Sequence, residues 1–319
     1  MKLWARMIST TIQKNIMSKK DFRVKFCGVR GSHPTPKVNF LNFGGNTACV
    51  EVNVGSHLIL LDCGTGVIDV GSELMRDYIL NSSPKNLTMI LTHTHQDHIQ
   101  GLQFFKPLHV PDFRIDIFGA SFYRQSLKDI LCDLLFDRAF PLSLDEIKSD
   151  LNIYDVNEQS VIVLKENGEK LLFDNPDIAE FCDDDVVIVF HKTQAHPKNG
   201  CLCVKILHHG KALVFATDKE SYVGSDKRFV EFAFGADLLI HDSQYTHQDY
   251  TCAVFPKQGF GHSTFEMALE THKLAKTKKL AFFHYDPSYD DVILKILEQE
   301  FTKADDSICF SKEGMEIAL

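Results

Sequence analysis

The chain has 319 residues, of which 44% are hydrophobic and 24% charged, and its formal net charge is −9. These proportions are typical of a folded globular protein and argue against disorder over any long stretch. The acidic balance disfavours binding of long nucleic acid along its backbone, because such proteins usually present a strongly basic surface. A small anionic substrate that is attracted by metal ions fits this charge better.

The cysteine pattern and the absence of long apolar runs predict where the chain resides. The nine cysteines include no CxxC pair, and several lie in apolar runs such as Cys201-Leu202-Cys203-Val204. An odd number of such cysteines is typical of buried free thiols in a reducing compartment. No apolar run approaches the roughly 20 residues that a membrane-spanning helix needs. We therefore expect a cytoplasmic protein without a membrane segment.

Residues 1–20 form a predicted N-terminal extension with five basic residues and no acidic one. This composition is similar to that of a mitochondrial targeting segment. Met17, which Ser-Lys-Lys follows, also fits an alternative start. We favour the alternative start.

Short apolar runs alternate with helical periodicity along the rest of the chain. In the first half, strands are predicted at Val24 to Phe26, Ala48 to Val54, Leu58 to Leu61, Leu87 to Leu91 and Ile115 to Phe118. In the second half they are predicted at Val161 to Leu164, Val186 to Phe190, Leu202 to Leu207, Leu213 to Ala216, Leu238 to His241 and Leu280 to Phe283. The pattern predicts an α/β chain with two sets of strands and leaves the sheet order open.

Helices are expected between these strands. Helical spacing of apolar residues marks them at Val67 to Tyr78, Leu127 to Leu135, Phe265 to Lys276 and Val292 to Phe301. Ser263-Thr264-Phe265-Glu266 has the spacing of a capping box, which predicts that the third of these helices begins at Ser263.

The segment Thr92-His93-Thr94-His95-Gln96-Asp97-His98 directly follows a predicted buried strand. A loop that leaves a strand end can direct three imidazoles and a carboxylate to one place, and these groups are suitable ligands for zinc and related divalent ions. Fifteen histidines in the chain make any single one unremarkable. Four ligand-type residues this close together favour a metal site over a polar loop that is rich in histidine by accident.

The HxHxDH pattern resembles the signature of the metallo-β-lactamase superfamily, and three further segments match in the order that the superfamily implies. They are His196 in Thr-Gln-Ala-His-Pro, Asp218 in Ala-Thr-Asp, and His284 in Phe-Phe-His-Tyr-Asp-Pro. The resemblance covers Phe22 to the C-terminus. It implies a single hydrolase domain over residues 21–319 with a four-layer αβ/βα sandwich, in which helices flank two mixed sheets.

The resemblance also implies a pair of divalent ions, with zinc expected and manganese or iron as alternatives. One ion would be held by His93, His95 and His196, the other by Asp97, His98 and His284, with Asp218 bridging both. Such a pair can activate a bridging water and clamp a phosphoryl oxygen. Asp62, which ends another apolar run, either supports a ligating histidine or caps a loop, and we favour the supporting role.

Two later segments narrow the reaction to phosphodiester hydrolysis. His241-Asp242-Ser243-Gln244-Tyr245 and Gly261-His262-Ser263-Thr264 are similar to the carboxylate–histidine pair of ribonuclease Z-like phosphodiesterases. That resemblance implies that His262 protonates the leaving oxygen, that Asp242 orients His262, and that Asp97 orients the attacking water. An alkoxide is a poor leaving group, so it needs such an acid. The alternative is a helix-terminal His262 bonded to a backbone carbonyl.

The N-terminal loops narrow the resemblance to one branch. Gly28 to Pro36 and Asn42 to Thr47 resemble the cyclic nucleotide phosphodiesterase-like branch, which includes anti-Pycsar proteins. We therefore expect a cyclic nucleotide or a similar small phosphodiester as substrate, and the branch implies a homodimer. Arg30 would contact a phosphate or form a structural salt bridge.

Three other functions stay open at this point. Ribonuclease Z-like processing of transfer RNA ranks second, because Gln103 to Asp185 lacks the glycine-rich basic arm of those enzymes. A thioester or lactone hydrolase would use the same metals. A metal-containing sensor or redox protein is the third, although di-iron relatives favour glutamate at the position of His95.

Overall fold

The structure is a computed structural model, and it describes residues 22–81, 85–122, 124–136, 140–198, 200–222, 225–303 and 305–319. The predicted extension over residues 1–20 lies outside the described residues. Among the helices of the described ranges, none combines the length and the apolar character that a membrane crossing requires.

The first sheet has seven strands in the order β15-β1-β2-β3-β4-β5-β6. Strands β15, β1, β2 and β3 pair antiparallel, whereas β3, β4, β5 and β6 pair parallel. Their bounds are β1 Phe22–Gly28, β2 Cys49–Val54, β3 His57–Leu61, β4 Asn86–Leu91, β5 Arg114–Gly119, β6 Asp150–Asp155 and β15 Glu316–Ala318.

The second sheet has eight strands in the order β14-β13-β12-β11-β10-β9-β7-β8. Strands β11 to β14 pair parallel, and the remaining pairs are antiparallel. Their bounds are β7 Val161–Leu164, β8 Lys170–Phe173, β9 Val186–Thr193, β10 Cys201–His208, β11 Lys211–Ala216, β12 Leu238–Asp242, β13 Leu280–Phe283 and β14 Ile308–Phe310. Both sheets are mixed, as predicted.

Helices connect the strands and cover the outer faces of the sheets. The α-helices are α1 Val67–Asn81, α2 Gln96–Ile99, α3 Leu127–Leu135, α4 Lys227–Ala233, α5 His247–Tyr250, α6 Phe265–Ala275 and α7 Asp291–Thr302. Short 3-10 helices occupy Val38–Phe40, Leu102–Phe104, Lys106–His109, Leu144–Glu146 and Pro176–Ile178.

The alternation of side chains along each strand builds the layers. In β3, Ile59 and Leu61 belong to the core between the sheets, whereas Leu60 faces a second core beneath α1 and α3. On the other side, Phe229 of α4 and Phe265 of α6 pack against the second sheet. The result is the expected sandwich of two mixed sheets flanked by helices.

The parallel strands position the functional residues. Register pairs Ala216 of β11 with His241 of β12, and His241 with Phe282 of β13, so that these three strands end level with one another. In the first sheet, Leu61 of β3 pairs with Ile90 of β4. Because parallel strands run the same way, the residues that follow their carboxyl ends collect at one edge.

Several features differ from the sequence-based expectations. Helices α2, α4 and α5 were not expected, and α2 places Asp97 and His98 in a helix where a loop was predicted. Strands β6, β8, β14 and β15 were not expected, and they are the four edge strands of the two sheets. Helix α6 is capped by Thr264, whose side chain accepts a hydrogen bond from the Met267 N–H, so the prediction that it begins at Ser263 was wrong by one residue. Ser263 instead donates its hydroxyl proton to the carbonyl of Lys219 and accepts from the Ser221 N–H.

Candidate metal centre

The segment from Thr92 to His98 changes from extended to helical backbone in its middle. Strand β4 ends at Leu91, His95 is the extended N-cap residue of α2, and Asp97 and His98 lie within that helix. His93 and His95 therefore leave the chain before the helix begins, whereas Asp97 and His98 leave it inside the helix. This change of direction lets one short segment serve two neighbouring sites.

The first group of side chains comprises His93, His95, His196 and Asp218, whose ligand atoms lie within 4.8 Å of one another. Nε2 of His196 is 2.8 Å from Nδ1 of His95 and 3.5 Å from Oδ2 of Asp218. Nε2 of His93 is 3.6 Å from the same carboxylate oxygen. Ligand atoms bound to a common ion at about 2.0–2.2 Å are expected to lie about 3–4 Å apart.

The second group comprises Asp97, His98 and His284. Nε2 of His284 is 3.2 Å from Oδ2 of Asp97 and 3.2 Å from Nε2 of His98. Oδ1 of Asp218 lies 3.0 Å from Nε2 of His98 and 3.2 Å from Nε2 of His284. One carboxylate oxygen of Asp218 thus faces each group, which is the position that a bridging ligand needs. All seven side chains predicted from the sequence meet here.

Three residues of the centre adopt the left-handed backbone conformation. Their φ angles are 59° for Asp62, 50° for Asp218 and 66° for His284, and each follows the end of a strand, β3, β11 and β13 respectively. Residues other than glycine rarely adopt this backbone conformation, which costs of order 1–3 kcal/mol and occurs preferentially at functional sites. It turns the side chains out of the strand alternation and towards the centre.

Asp62 positions two of the candidate ligands, His98 directly and His93 through Thr92. Its carboxylate lies 2.8 Å from Nδ1 of His98 and accepts hydrogen bonds from the backbone N–H and the hydroxyl of Thr92. The Thr92 hydroxyl is in turn 3.1 Å from Nδ1 of His93. These contacts favour the supporting role that we preferred for Asp62 over a loop cap.

Burial and the neighbouring charges shift the pKa values of the carboxylates and imidazoles in the centre. Burial opposes ionisation of Asp218, yet the surrounding imidazoles hold the pKa of this carboxyl well below its usual range. Burial, together with the neighbouring imidazoles, lowers the pKa of His93 well below 6.5 and that of His196 to about 4. The neutral forms of His93 and His196 and the ionised form of Asp218 are those that bind a cation. At His98 burial also opposes a positive charge, but the carboxylates of Asp218, Asp97 and Asp62 raise the pKa well above 6.5.

The donor set fits a divalent metal. Nε2 of His93 is buried and has no hydrogen-bond partner among the described residues, although it points at the Asp218 carboxylate. Asp62, Asp97 and Asp218 all contact His98, so negative charge is concentrated where a cation would compensate it. Imidazole nitrogens with carboxylate oxygens suit zinc, iron or manganese.

His262 and Asp242 form a pair beside the metal ligands. Nδ1 of His262 is 2.7 Å from Oδ2 of Asp242, and both side chains are buried. Burial opposes a positive charge on His262, but the Asp242 carboxylate raises the pKa of the imidazole to about 9. The carboxylate partner agrees with the acid role expected of His262 and not with the alternative of a bond to a backbone carbonyl. Asp218, Asp242, His262 and His284 also lie close enough to hold an ion, but the His262–Asp242 hydrogen bond already occupies two of these groups.

Glu220 was not anticipated from the sequence. Its carboxylate is buried and accepts hydrogen bonds from the Tyr250 hydroxyl and from the backbone N–H groups of Gly259 and Gly261. The Gly261 carbonyl is 3.2 Å from Nδ1 of His196, and His262 follows directly. Glu220 thus fixes the loop that supports one predicted ligand and carries the predicted acid. Its partners are some 30 to 40 residues away, so no local pattern signals this role.

Two further contacts reach the centre, one from the loop that follows β1 and one from the residues that follow β12. The Ser32 N–H donates to Oδ2 of Asp97 at 2.7 Å, and Nδ1 of His284 is 3.1 Å from Oε1 of Gln244. Arg30 is fully buried and donates to the backbone carbonyls of Gly44 and Tyr289. Both expectations for Arg30, a phosphate contact and a structural salt bridge, differ from this observed contact with carbonyl groups.

Residues 57–285 match the family model described as "Beta-lactamase superfamily domain". The chain is 24% identical over 298 residues to "Ribonuclease Z" of Picrophilus torridus, which covers 87% of this chain and 90% of that protein. It is 26% identical over 300 residues to "Ribonuclease Z" of Nanoarchaeum equitans, with 84% and 89% covered. Among solved structures, the metallo-β-lactamase fold protein YhfI from Bacillus subtilis aligns with a TM-score of 0.60 at 19% identity, over 94% of this chain and 100% of that chain. This likeness shows the fold.

Proposed function

The chain belongs to the β-lactamase superfamily and is a metal-dependent hydrolase of phosphodiester bonds, and from this premise we propose that it cleaves a small nucleotide phosphodiester, such as a cyclic nucleotide, with two divalent ions and an acid supplied by His262. The observation that carries the proposal is the 2.7 Å contact between His262 and Asp242 at the border of the metal centre. Hydrolysis of an activated acyl substrate has less need of such a pair.

The residues that would hold the two ions are those of the two groups. His93, His95 and His196 would bind one ion, Asp97, His98 and His284 the other, and Asp218 both, with zinc as the expected metal. When bound, the ions polarise the phosphoryl oxygen and lower the pKa of water. Asp62 keeps Nε2 of His98 turned inward through its hydrogen bond to Nδ1.

The protein side chains would handle the protons. Asp97, held by the Ser32 N–H, accepts a hydrogen bond from the attacking water, aims its oxygen at phosphorus and takes the proton that the water loses as the new P–O bond forms. As the bond from phosphorus to the leaving oxygen breaks, protonated His262 donates a proton from Nε2 to that oxygen. Asp242 holds Nδ1 and stabilises the imidazolium before the transfer.

The size and charge of the protein support a small substrate. The chain carries a net charge of −9, and residues 103–185, whose sequence lacks a glycine-rich basic arm, contribute β5, β6, β7, β8 and α3 to the sandwich. Processing of transfer RNA is the second candidate. It is favoured by the relatives named ribonuclease Z, which align over most of their own length.

The test is hydrolysis by purified protein loaded with zinc or manganese. We expect cleavage of bis(p-nitrophenyl) phosphate and of at least one cyclic nucleotide, and slower cleavage of a precursor transfer RNA. Failure to cleave any phosphodiester with any divalent ion would disprove the proposal, and preference for the transfer RNA would favour the second candidate. The expected homodimer and cytoplasmic location stay predictions, which light scattering and fractionation would test.

A further inference from the structure

A cleft of about 300 Å³ opens beside the first group of metal ligands. His93 and His95 line it on the side of the centre, and Ala120, Phe122 and Leu202 form an apolar part of its wall. Its volume lies at the lower end of the range of about 300–1,000 Å³ for small-molecule sites. A flat, partly apolar group such as a nucleobase fits these surroundings.

The charged side chains that line this cleft, apart from the histidines, are Lys192 and Lys198. No Asp or Glu of the described residues belongs to the lining, although acidic residues outnumber basic ones in the whole chain by 43 to 34. Neither ammonium group has a carboxylate within 4.0 Å in the described ranges of the structure. Unpaired cations that face a concave surface favour an anionic ligand.

The cleft and the predicted acid are neighbours around His196: Pro197 lines the cleft, and the His262 ring lies 5.1 Å from the His196 ring. His262 is not among the lining residues, whereas His95 and the segment after His196 are. The substituent that leaves must reach His262 to receive its proton. The leaving oxygen therefore lies at His262, outside the cleft, and the cleft is open to a nucleoside of the same substrate.

We propose that this cleft binds a nucleoside of the substrate and that Lys192 and Lys198 bind a second phosphate attached to it. The inference rests on the proposed phosphodiesterase function and narrows its substrate class. A cyclic mononucleotide has one phosphate. This phosphate occupies the metal centre, so the two lysines have no phosphate to bind. The preferred substrates carry two or more phosphates, as in a cyclic dinucleotide or a 5′-phosphorylated linear dinucleotide.

The experiment compares substrates that differ by one phosphate. The metal-loaded enzyme is assayed with the diadenosine ApA and its 5′-phosphorylated form pApA, and with 3′,5′-cyclic AMP and cyclic di-AMP. We expect the form with the extra phosphate to have the higher kcat/KM in each pair. In Lys192→Ala and Lys198→Ala this preference should fall about tenfold for each lysine, the loss typical of a charge-assisted hydrogen bond.

Matched variants separate charge from packing. The double variant Lys192→Arg with Lys198→Arg keeps both charges and should keep the preference. The control is Lys295→Ala with Lys303→Ala, which removes one exposed lysine of α7 and the exposed lysine directly after that helix, and it should not change the preference. Hydrolysis of bis(p-nitrophenyl) phosphate should stay within about twofold of wild type in Lys295→Ala with Lys303→Ala. In Lys192→Ala and Lys198→Ala it should fall less than hydrolysis of pApA, because it lacks the second phosphate. Equal kcat/KM for both members of each pair in the wild type would overturn the inference, and so would an equal loss on all substrates in the lysine variants.

A binding measurement does not depend on turnover. Adenosine 3′,5′-bisphosphate should bind the metal-loaded protein about 10–100-fold more tightly than adenosine 5′-monophosphate, and the double alanine variant should lose this difference. Absence of phosphodiester cleavage would refute the proposed function alone. Equal binding of the two nucleotides by the wild type would refute the assignment of the cleft.

Discussion

Oδ2 of Asp62 lies 2.8 Å from Nδ1 of His98, and both side chains are fully buried. The same carboxylate accepts hydrogen bonds from the backbone N–H and the hydroxyl of Thr92, so it joins the end of β3 to the start of the segment from Thr92 to His98. Nε2 of His98 is thereby turned towards Asp97 and Asp218. One carboxylate outside the two ligand groups therefore sets the direction of a ligand inside them.

Replacement of Asp62 should weaken metal binding. We expect Asp62→Ala to lower metal affinity about 10–100-fold, because the His98 ring loses its partner. Titration against a chelating dye would measure the change. Asp237→Ala is the control, since Asp237 is also buried and accepts from a backbone N–H and two lysines away from the centre. An equal loss of affinity in both variants would contradict the prediction.

Removal of the imidazole of His262 should act mainly on substrates with a poor leaving group. We expect kcat of His262→Ala to fall about 10²–10⁴-fold on a dinucleotide and less than about tenfold on bis(p-nitrophenyl) phosphate, whose phenolate leaves unaided. The bound metal, measured by elemental analysis, should not change. His272→Ala replaces a buried histidine of α6 that bonds Thr277, and should keep both activities. A uniform loss on both substrates would point away from acid catalysis.

Glu220 should position His262 without touching the substrate. In Glu220→Gln an amide N–H₂ replaces one of the two carboxylate oxygens and faces an N–H or O–H donor of the loop. That donor loses its hydrogen-bond acceptor, so stability should fall by about 1–3 kcal/mol. We expect the same dependence on the leaving group as in His262→Ala, with metal retained. Glu298→Gln, which alters the ion pair between Glu298 of α7 and Lys312, is the control. Loss of stability with equal activity on both substrates would leave Glu220 only a structural role.

Gly31 makes room for His284. A Cβ atom at residue 31 would lie 2.6 Å from the His284 imidazole, so Gly31→Ala should displace this ligand and weaken metal binding. A Cβ at Gly235 meets nothing within 4 Å, but φ there is +69°, so Gly235→Ala should cost roughly 1–2 kcal/mol of stability and leave the metal bound. Metal titration should therefore show weaker binding in Gly31→Ala only, whereas thermal unfolding should show the loss of stability expected for Gly235→Ala. Normal metal affinity in Gly31→Ala would disprove the steric argument.

The strands that the sequence failed to predict share one property. Strands β6 and β15 close the first sheet, and β8 and β14 close the second. An edge strand pairs on one side only, and is often short and partly polar, so its alternation is weak. The charged residues at both ends of β6, Asp150 and Asp155, show this. The central strands, such as β4 and β12, are buried on both faces and give continuous apolar runs.

The sequence by itself determined the His93–His98 segment and the central strands, because strand periodicity and a dense His/Asp segment are local properties of the chain. The resemblance to the superfamily supplied His196, Asp218 and His284. Only the tertiary structure decided that Asp218 faces both ligand groups, that Glu220 fixes the loop before His262, and that Lys192 and Lys198 share a cleft. These relationships join residues that are distant in sequence. They depend on the register of parallel strands and on the left-handed residues after them, for which no local pattern codes.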